Sequence, residues 1–239
     1  MASSDGPPMQ IEPIAVVRSC FGGKFGTPRQ PGLCPSAWGT LVFHAPYRSE
    51  EAIRGLDGFS HLWLIFGFHQ CLDQGWHPTV RPPRLGGNQR IGVFASRSTF
   101  RPNSLGLSLV RLEGIDRTPP DAPVLHLGGV DVIDGTPVFD IKPYLPYAEA
   151  PSKVASGFAE QPPPRLPVTV HASASAAFVS LPARARSLIR EALSLDPRPA
   201  TQTGDAVRVF GADLCGHNVR FTIAEGSCQI VQIDQILKS

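Results

Sequence analysis

Between Ile11 and Ile141 the apolar residues fall into short runs divided by Gly- and Pro-rich turns, and few gaps between the runs are long enough for a helix. This pattern constrains the fold more than any other feature of the chain. Ile11–Arg18, Thr40–Phe43, His61–Phe68, Ile91–Ala95, Leu105–Leu112, Val124–Ile133 and Val138–Ile141 are short, apolar and rich in β-branched or aromatic residues, so each reads as a strand. His61–Phe68 is almost continuously apolar, which predicts a strand buried on both faces. Closely spaced strands favour a closed barrel or a sandwich over alternating βαβ units. With 23 Gly and 25 Pro in 239 residues, the chain can supply the turns that such a fold needs. One helix is expected inside this region, starting at Ser49-Glu50-Glu51-Ala52 with Ser49 as cap and ending at Gly55.

Beyond residue 150 the pattern changes. Gln161-Pro162-Pro163-Pro164-Arg165-Leu166-Pro167 reads as a stiff linker that cannot pair as a strand. Leu181–Leu195 places Leu181, Leu188, Ile189, Ala192 and Leu193 on one face of a helix, with Ser180 to cap it and Pro197 and Pro199 to stop it. Asn218–Ala224 and Cys228–Ile236 read as a terminal hairpin. The expected fold is therefore mainly β: a β-barrel domain over residues 1–150, a Pro-rich linker over 151–167, and a small α+β domain over 168–239.

A net charge of +2 is too small to announce a nucleic-acid partner, but the charge is segregated. Six arginines and no acids lie between Gln74 and Leu112, while acids outnumber bases from Glu113 to Glu149. The five cysteines show no CxxC spacing and read as free thiols. No signal peptide is visible, and the longest apolar run, Leu62–Phe68, is too short to span a bilayer, so a cytoplasmic chain without membrane attachment is expected. There is no phosphate loop, no dinucleotide fingerprint, no nucleophile elbow and no HExxH. His61 and His69 flank one strand, but a metal site would need further ligands, and no metal is expected.

Two segments carry candidate chemistry. The first holds Arg81, Arg84, Arg90, Arg97 and Arg101 among prolines and glycines. A guanidinium held on a rigid loop suits phosphate or carboxylate, yet these arginines could equally form a solvated face or pair with Asp131, Asp134 and Asp140. The second runs from Asp131 through Asp134-Gly135-Thr136-Pro137 to Lys142-Pro143-Tyr144-Leu145-Pro146-Tyr147. It reads either as a turn with flanking charges or as a site where Tyr144 and Tyr147 stack on bases.

Taken together, these segments resemble the TsaA-like (TrmO) tRNA methyltransferases. The likeness rests on Pro28-Arg29-Gln30-Pro31-Gly32, Phe59-Ser60-His61-Leu62-Trp63, Arg81-Pro82-Pro83-Arg84 and Gly92-Val93-Phe94-Ala95-Ser96-Arg97-Ser98. It continues through Arg101-Pro102-Asn103-Ser104-Leu105-Gly106-Leu107-Ser108, Asp134-Gly135-Thr136-Pro137-Val138 and Asp140 to Tyr147. Asp196-Pro197-Arg198-Pro199-Ala200 resembles the family's small C-terminal domain. There the chain departs from the pattern, with Thr201 and Phe210 where tyrosines are frequent and Gly216 where an acid is frequent.

The resemblance implies a β-barrel methyltransferase that uses S-adenosylmethionine (SAM), works as a homodimer with SAM near the interface, and acts on a tRNA anticodon loop. Its implied product is the N6-methyl derivative of threonylcarbamoyladenosine at position 37. It places the cofactor against Gln30, Pro31, Gly32, His69, Gln70, Arg97, Gly106, Leu107, Val132, Ile133, Asp134 and Gly135. Arg97 is expected at the methionine carboxylate, and the Asp134-Gly135 backbone at the adenine edge. Arg84, Arg101, Asn103, Lys142, Tyr147 and Arg198 are the expected substrate contacts. Because the acceptor nitrogen is conjugated, a base should assist loss of its proton, and Asp134, Asp140 or Tyr144 is expected to do so. The alternatives are a SAM-binding module without turnover and a methyltransferase for another substrate.

Overall fold

The structure is a computed structural model that describes residues 9–199 and 208–237. The first part of the chain contains β1 (Ala15–Ser19), β2 (Trp38–Phe43), β3 (His61–Gly67), β4 (Thr79–Val80), β5 (Ile91–Gly92), β6 (Leu105–Asp116), β7 (Val124–Gly128) and β8 (Thr136–Pro143). Six of these close into a barrel of order β1-β2-β7-β6-β3-β8, antiparallel throughout, while β4 and β5 form a separate two-stranded ribbon. Closure leaves each strand one face for the core and one for the outside. That explains why β3 departs from the expected two-sided burial: Leu62, Leu64 and Phe66 point inward, and His61, Trp63 and Ile65 are only half-buried on the outer wall.

Other differences from the sequence expectation have local causes. Residues 49–58 form turns and a 3-10 turn at Leu56–Gly58 rather than a helix, because a segment closed off by Gly55 at φ +84° is too short to sustain a helical nucleus. Val124–Ile133 is a strand only as far as Gly128. Gly129 then adopts φ +70°, donates to the Ala37 carbonyl at 2.8 Å, and turns the chain off the ladder. Ile91–Ala95 pairs only at Ile91–Gly92 before a 3-10 turn at Val93–Ala95.

After the short helix α1 (Pro146–Glu149), the second unit comprises β9 (Val168–Val170), α2 (Ala172–Ser180), α3 (Ala183–Ser194), β10 (Phe210–Leu214), β11 (His217–Ala224) and β12 (Ser227–Gln235). Its sheet order is β10-β11-β12-β9, with β9 parallel to β12. The expected hairpin is β11–β12, and the amphipathic helix is α3. Pro182, not Ser180, stands at its N-cap, because Leu181 and Pro182 first close off α2. The sequence reading missed α2, whose Ala- and Ser-rich run has no apolar periodicity. Thr201 lies outside the described residues.

The two units share one core. Leu41, Leu62, Leu64 and Leu125 fill the barrel, and Leu188, Ile189, Phe221 and Ile230 fill the second unit. Phe21 bridges to Leu214. Ser36 donates to the Glu191 carboxylate through its N–H at 2.9 Å and its hydroxyl at 2.8 Å. Arg184 lies 5.4 Å over the Trp38 ring and pairs with Glu113 at 2.9 Å. Burial raises Glu113 less than its two arginine partners, Arg184 and Arg111, lower it, so its carboxyl titrates below the usual range. The Pro-rich segment is therefore docked rather than free: Leu166 packs on the core, and its N–H donates to Ser194 at 2.7 Å.

Candidate active site

A cleft of about 2590 Å³ opens between the barrel rim and the second unit. A cleft of that size exceeds what one small molecule requires, and leaves room for a cofactor and part of a macromolecule together. Four features of the chain build its walls. The Gly/Pro-rich loop after β1 supplies Lys24 and Arg29-Gln30. The end of β3 leads into His69, Gln70 and Cys71. The arginine-rich segment between β4 and β6 supplies one side, and the turn after Gly129 supplies Asp131, Val132 and Ile133. Gln161–Pro164 and Leu195–Arg198 close the cleft from the second unit.

The arginine question is resolved by geometry. Among the described residues, Arg81, Arg84, Arg90, Arg97 and Arg101 all line the cleft and none makes an ion pair. Lys24, Arg29 and Arg198 join them, against two carboxylates, Asp131 and Asp196. A chain of net charge +2 thus concentrates eight cations on one concave surface. Several are held rigidly. Arg97 donates to Gln30 Oε1 at 2.6 Å, Arg101 donates to the Ser96 carbonyl at 2.8 Å and sits 5.7 Å over Phe94, and Arg84 donates to the Gln161 carbonyl. Lys24 Nζ donates to the Gln70 carbonyl at 2.6 Å and lies 3.2 Å from Cys71 Sγ. His69, on the same wall, is lowered from the usual imidazole range by burial first and by Lys24 second.

The turn that enters β6 is strained at Ser104, a non-glycine residue at φ +49°, whose carbonyl accepts from Phe68 N–H at 2.8 Å. It delivers Gly106 opposite Phe66 across the β3–β6 pair, and a Cβ at Gly106 would lie 2.3 Å from the Phe66 ring. Leu107 is exposed into the cleft, and Ser108 is buried.

Of the residues named from the sequence, Gln30, His69, Gln70, Arg97, Gly106, Leu107, Val132 and Ile133 meet in this cleft, with Arg84, Arg101 and Arg198. Pro31 and Gly32 do not line it. Gly32 is tied to the Gly129 carbonyl at 3.0 Å and supports the loop from behind. Asn103 is exposed outside the cleft.

Asp134 departs most from expectation. Its carboxylate accepts from Ser19 N–H at 3.0 Å and lines a separate cavity of about 410 Å³ with Arg18, Trp38 and Thr40. The Asp134 and Gly135 amides donate to the Phe21 and Val17 carbonyls at 2.7 and 2.9 Å, so neither N–H is free to read an adenine edge. Asp140 and Lys142 pair at 3.1 Å on the outer wall of the barrel. Tyr144 packs edge-on against Trp63 and His61 there, and Tyr147 is 89% exposed. Within one chain, the three groups expected to act as base do not reach the cleft.

Two acids do reach it, and one is Asp131, which the sequence placed at the start of the second candidate segment and as an ion-pair partner but not among the site residues. Burial pushes its carboxyl up to about 6, partly opposed by the hydrogen bond from Ser108 and by Arg97. Asp196, also missed, holds Arg198 in a paired contact at 2.8 Å, its own backbone at φ +47° beyond the end of α3. The signal for both was present: each follows an interrupted strand or helix and precedes residues that the motifs had already singled out.

The N-terminal domain of tRNA-methyltransferase O matches residues 16–150, and the TrmO C-terminal domain matches residues 163–236. A tRNA (adenine(37)-N6)-methyltransferase of Escherichia coli (strain K12) is 45% identical over 230 residues, covering 94% of this chain and 97% of that one. A putative S-adenosylmethionine-dependent methyltransferase RcsF of Pseudomonas aeruginosa is 47% identical over 208 residues, covering 85% and 88%. The crystal structure of TrmO from Pseudomonas aeruginosa superposes with a TM-score of 0.78 at 37% identity, covering 95% of this chain and 99% of that one. The closed barrel, the cationic cleft and these matches define a tRNA methyltransferase of the β-barrel class, in place of the more familiar doubly wound sheet. The chain belongs to the tRNA-methyltransferase O (TrmO) family.

Proposed function

We propose that this protein transfers the methyl group of SAM to N6 of adenosine 37 in tRNA, and that the acceptor carries an N6-threonylcarbamoyl group. The observation that carries this reading is one cleft in which eight of the expected cofactor residues, Arg97 among them, meet Arg81, Arg84, Arg90 and Arg101, none of which makes an ion pair among the described residues. The lining suits SAM: Gln30 and Arg97 offer polar partners for an amino-acid end, while Leu107, Val132, Ile133 and the Phe66 ring offer an apolar bed for a nucleoside. Bound there, SAM supplies an electrophilic methyl group on a sulfonium.

The chain's own residues orient, neutralise charge and exclude water. Arg84 and Arg101 stand where a threonyl carboxylate or anticodon phosphates can be met by forked donors. Position 37 lies in a loop, so its base can enter without melting a duplex. In the reaction the S–CH₃ bond breaks with its electron pair left on sulfur, the N6–CH₃ bond forms, and the N6 proton leaves.

The homodimer belongs to the same reading. In one chain Asp140, Lys142, Tyr144 and Tyr147 are not among the residues that line their own cleft; pairing two copies would present them to the partner's cleft. Asp140 or Tyr144 would then act as base there, whereas Asp134 is committed to Ser19. Among the described residues no helix is long and apolar enough to cross a membrane, and a cytoplasmic location follows from a tRNA substrate.

The decisive experiment incubates the protein with isotope-labelled SAM and tRNA prepared with or without the threonylcarbamoyl group, followed by nucleoside mass analysis. Label in the modified nucleoside alone is expected. Label in unmodified adenosine would overturn the finer substrate, and SAM binding without incorporation would overturn the enzyme.

A further inference from the structure

The cationic cleft that suits tRNA is unfavourable for a sulfonium, because like charges in a partly desolvated site repel strongly. A carboxylate close to the cofactor would offset this repulsion. Among the described lining residues only two acids are available. Asp196 is taken by Arg198 through two contacts of 2.8 Å. Asp131 makes no ion pair within the described residues, and its side-chain partner is the neutral Ser108 hydroxyl, which donates to Oδ1 at 2.6 Å. It adjoins Val132 and Ile133 in sequence and reaches across to Ser108, which follows Gly106 and Leu107 on β6. It is therefore fixed among the cofactor residues, and it cannot swing away without breaking that bond.

We propose that Asp131 sets the preference of the cleft for SAM over its demethylated product, S-adenosylhomocysteine, by opposing the sulfonium charge. This rests on the SAM reading above. Methyl transfer removes the positive charge from sulfur, so the attraction to Asp131 disappears with turnover and the product is held less tightly than the donor. The amino-acid and nucleoside portions of the two molecules are the same, so contacts of Gln30 or Leu107 with those portions do not distinguish them, and the positive charge of Arg97 would favour the neutral product. The charged side chain that acts on Asp131 is Arg97, from the arginine-rich loop; Ser108 faces it from β6. Since burial places the Asp131 carboxyl at about 6, the preference should fade as pH falls through that value. His69, which burial lowers from the usual imidazole range, lines the same cleft, and its removal separates any effect of its own charge from that of Asp131.

The test is calorimetric titration of the full chain with SAM and with S-adenosylhomocysteine at pH 7.5. In Asp131→Asn the ratio of the two affinities is expected to shift about tenfold toward the product, through weaker SAM binding with the product almost unchanged, and Asp131→Glu should recover part of the ratio. Equal losses for both ligands would overturn the proposal, since they would mean that Asp131 serves a portion common to the two. If the unsubstituted protein binds neither ligand, the SAM reading itself fails and the proposal with it. Should circular dichroism show that Asp131→Asn does not fold, the ratio is measured in His69→Gln at pH 7.5 and pH 5. A fall of about tenfold supports Asp131, and a constant ratio refutes it.

Discussion

Arg97 reaches across 67 positions of sequence to donate a 2.6 Å hydrogen bond to Gln30, and so joins two walls of the cleft. The contact fixes the guanidinium while leaving its other donors available. Arg97→Ala is expected to weaken SAM binding about 10- to 100-fold, the scale of a lost charge-assisted hydrogen bond, and Arg97→Lys to recover only part of it. Titration calorimetry with SAM checks this; unchanged affinity in Arg97→Ala would remove Arg97 from the cofactor site.

Division of the site between two copies is tested by mixing. Arg97→Ala damages the cleft, and Tyr144→Phe alters a residue that does not line its own cleft. If each cleft uses that residue from the partner, either variant alone is nearly inactive. A refolded mixture should regain about a quarter of normal activity through heterodimers with one intact site. Full activity of Tyr144→Phe alone, or no recovery on mixing, would show that each chain acts with its own residues.

Asp131 also predicts a pH effect on stability. Its folded carboxyl, at about 6, lies above the ordinary Asp value of 3.8, so the folded chain binds this proton more readily than the unfolded chain. Below pH 4 both states are protonated and the group is neutral in its effect; between pH 4 and pH 6 stability falls as pH rises. Asp131→Asn, which can still accept from Ser108, should therefore be more stable than the unsubstituted protein by about 1–3 kcal/mol at pH 7.5. That difference should vanish near pH 4 in urea titrations. A variant less stable at pH 7.5 contradicts the burial of an ionised carboxylate.

Gly106 has no room for a side chain, since its Cβ would lie 2.3 Å from the Phe66 ring. Gly106→Ala should cost about 1–3 kcal/mol through overpacking, and it should weaken SAM binding by displacing the ring. Gly114→Ala, where nothing lies within 4 Å of the added carbon, is the control expected to leave both nearly unchanged. Equal melting temperatures for the two variants would show that Phe66 yields freely.

The unpaired arginines should make tRNA binding depend steeply on salt. Arg81→Ala and Arg90→Ala are each expected to weaken binding uniformly across tRNAs and to reduce the slope of log affinity against log salt by about one. Filter binding between low and physiological salt measures it, and slopes identical to the unsubstituted protein would place these arginines off the RNA.

The barrel was legible because short apolar runs closed by turn residues mark strands, although in β3 the continuous run hid which face is buried: only Leu62, Leu64 and Phe66 point inward. Strand ends were less so. Gly129 breaks a run that continues with Val130, Val132 and Ile133, and hydropathy does not register a change of φ. The cleft was legible in part, since the motif residues Gln30, Arg97 and Leu107 from three distant segments all line it. Asp134 misled because an acid at a strand-end turn can bond a local amide as readily as a ligand, and only the position of Ser19 decides between them. Asp131 and Asp196 were obscured for the opposite reason: their place depends on cleft walls drawn from distant segments, with Ser108 reaching Asp131 from β6.

The Arg84 contact with the Gln161 carbonyl makes the connector between the two halves of the chain part of the doorway to the cleft. A nick or an insertion near residue 161 would thus be more than a change of tether. It would loosen one jamb, leaving the barrel closed while altering the width of the opening.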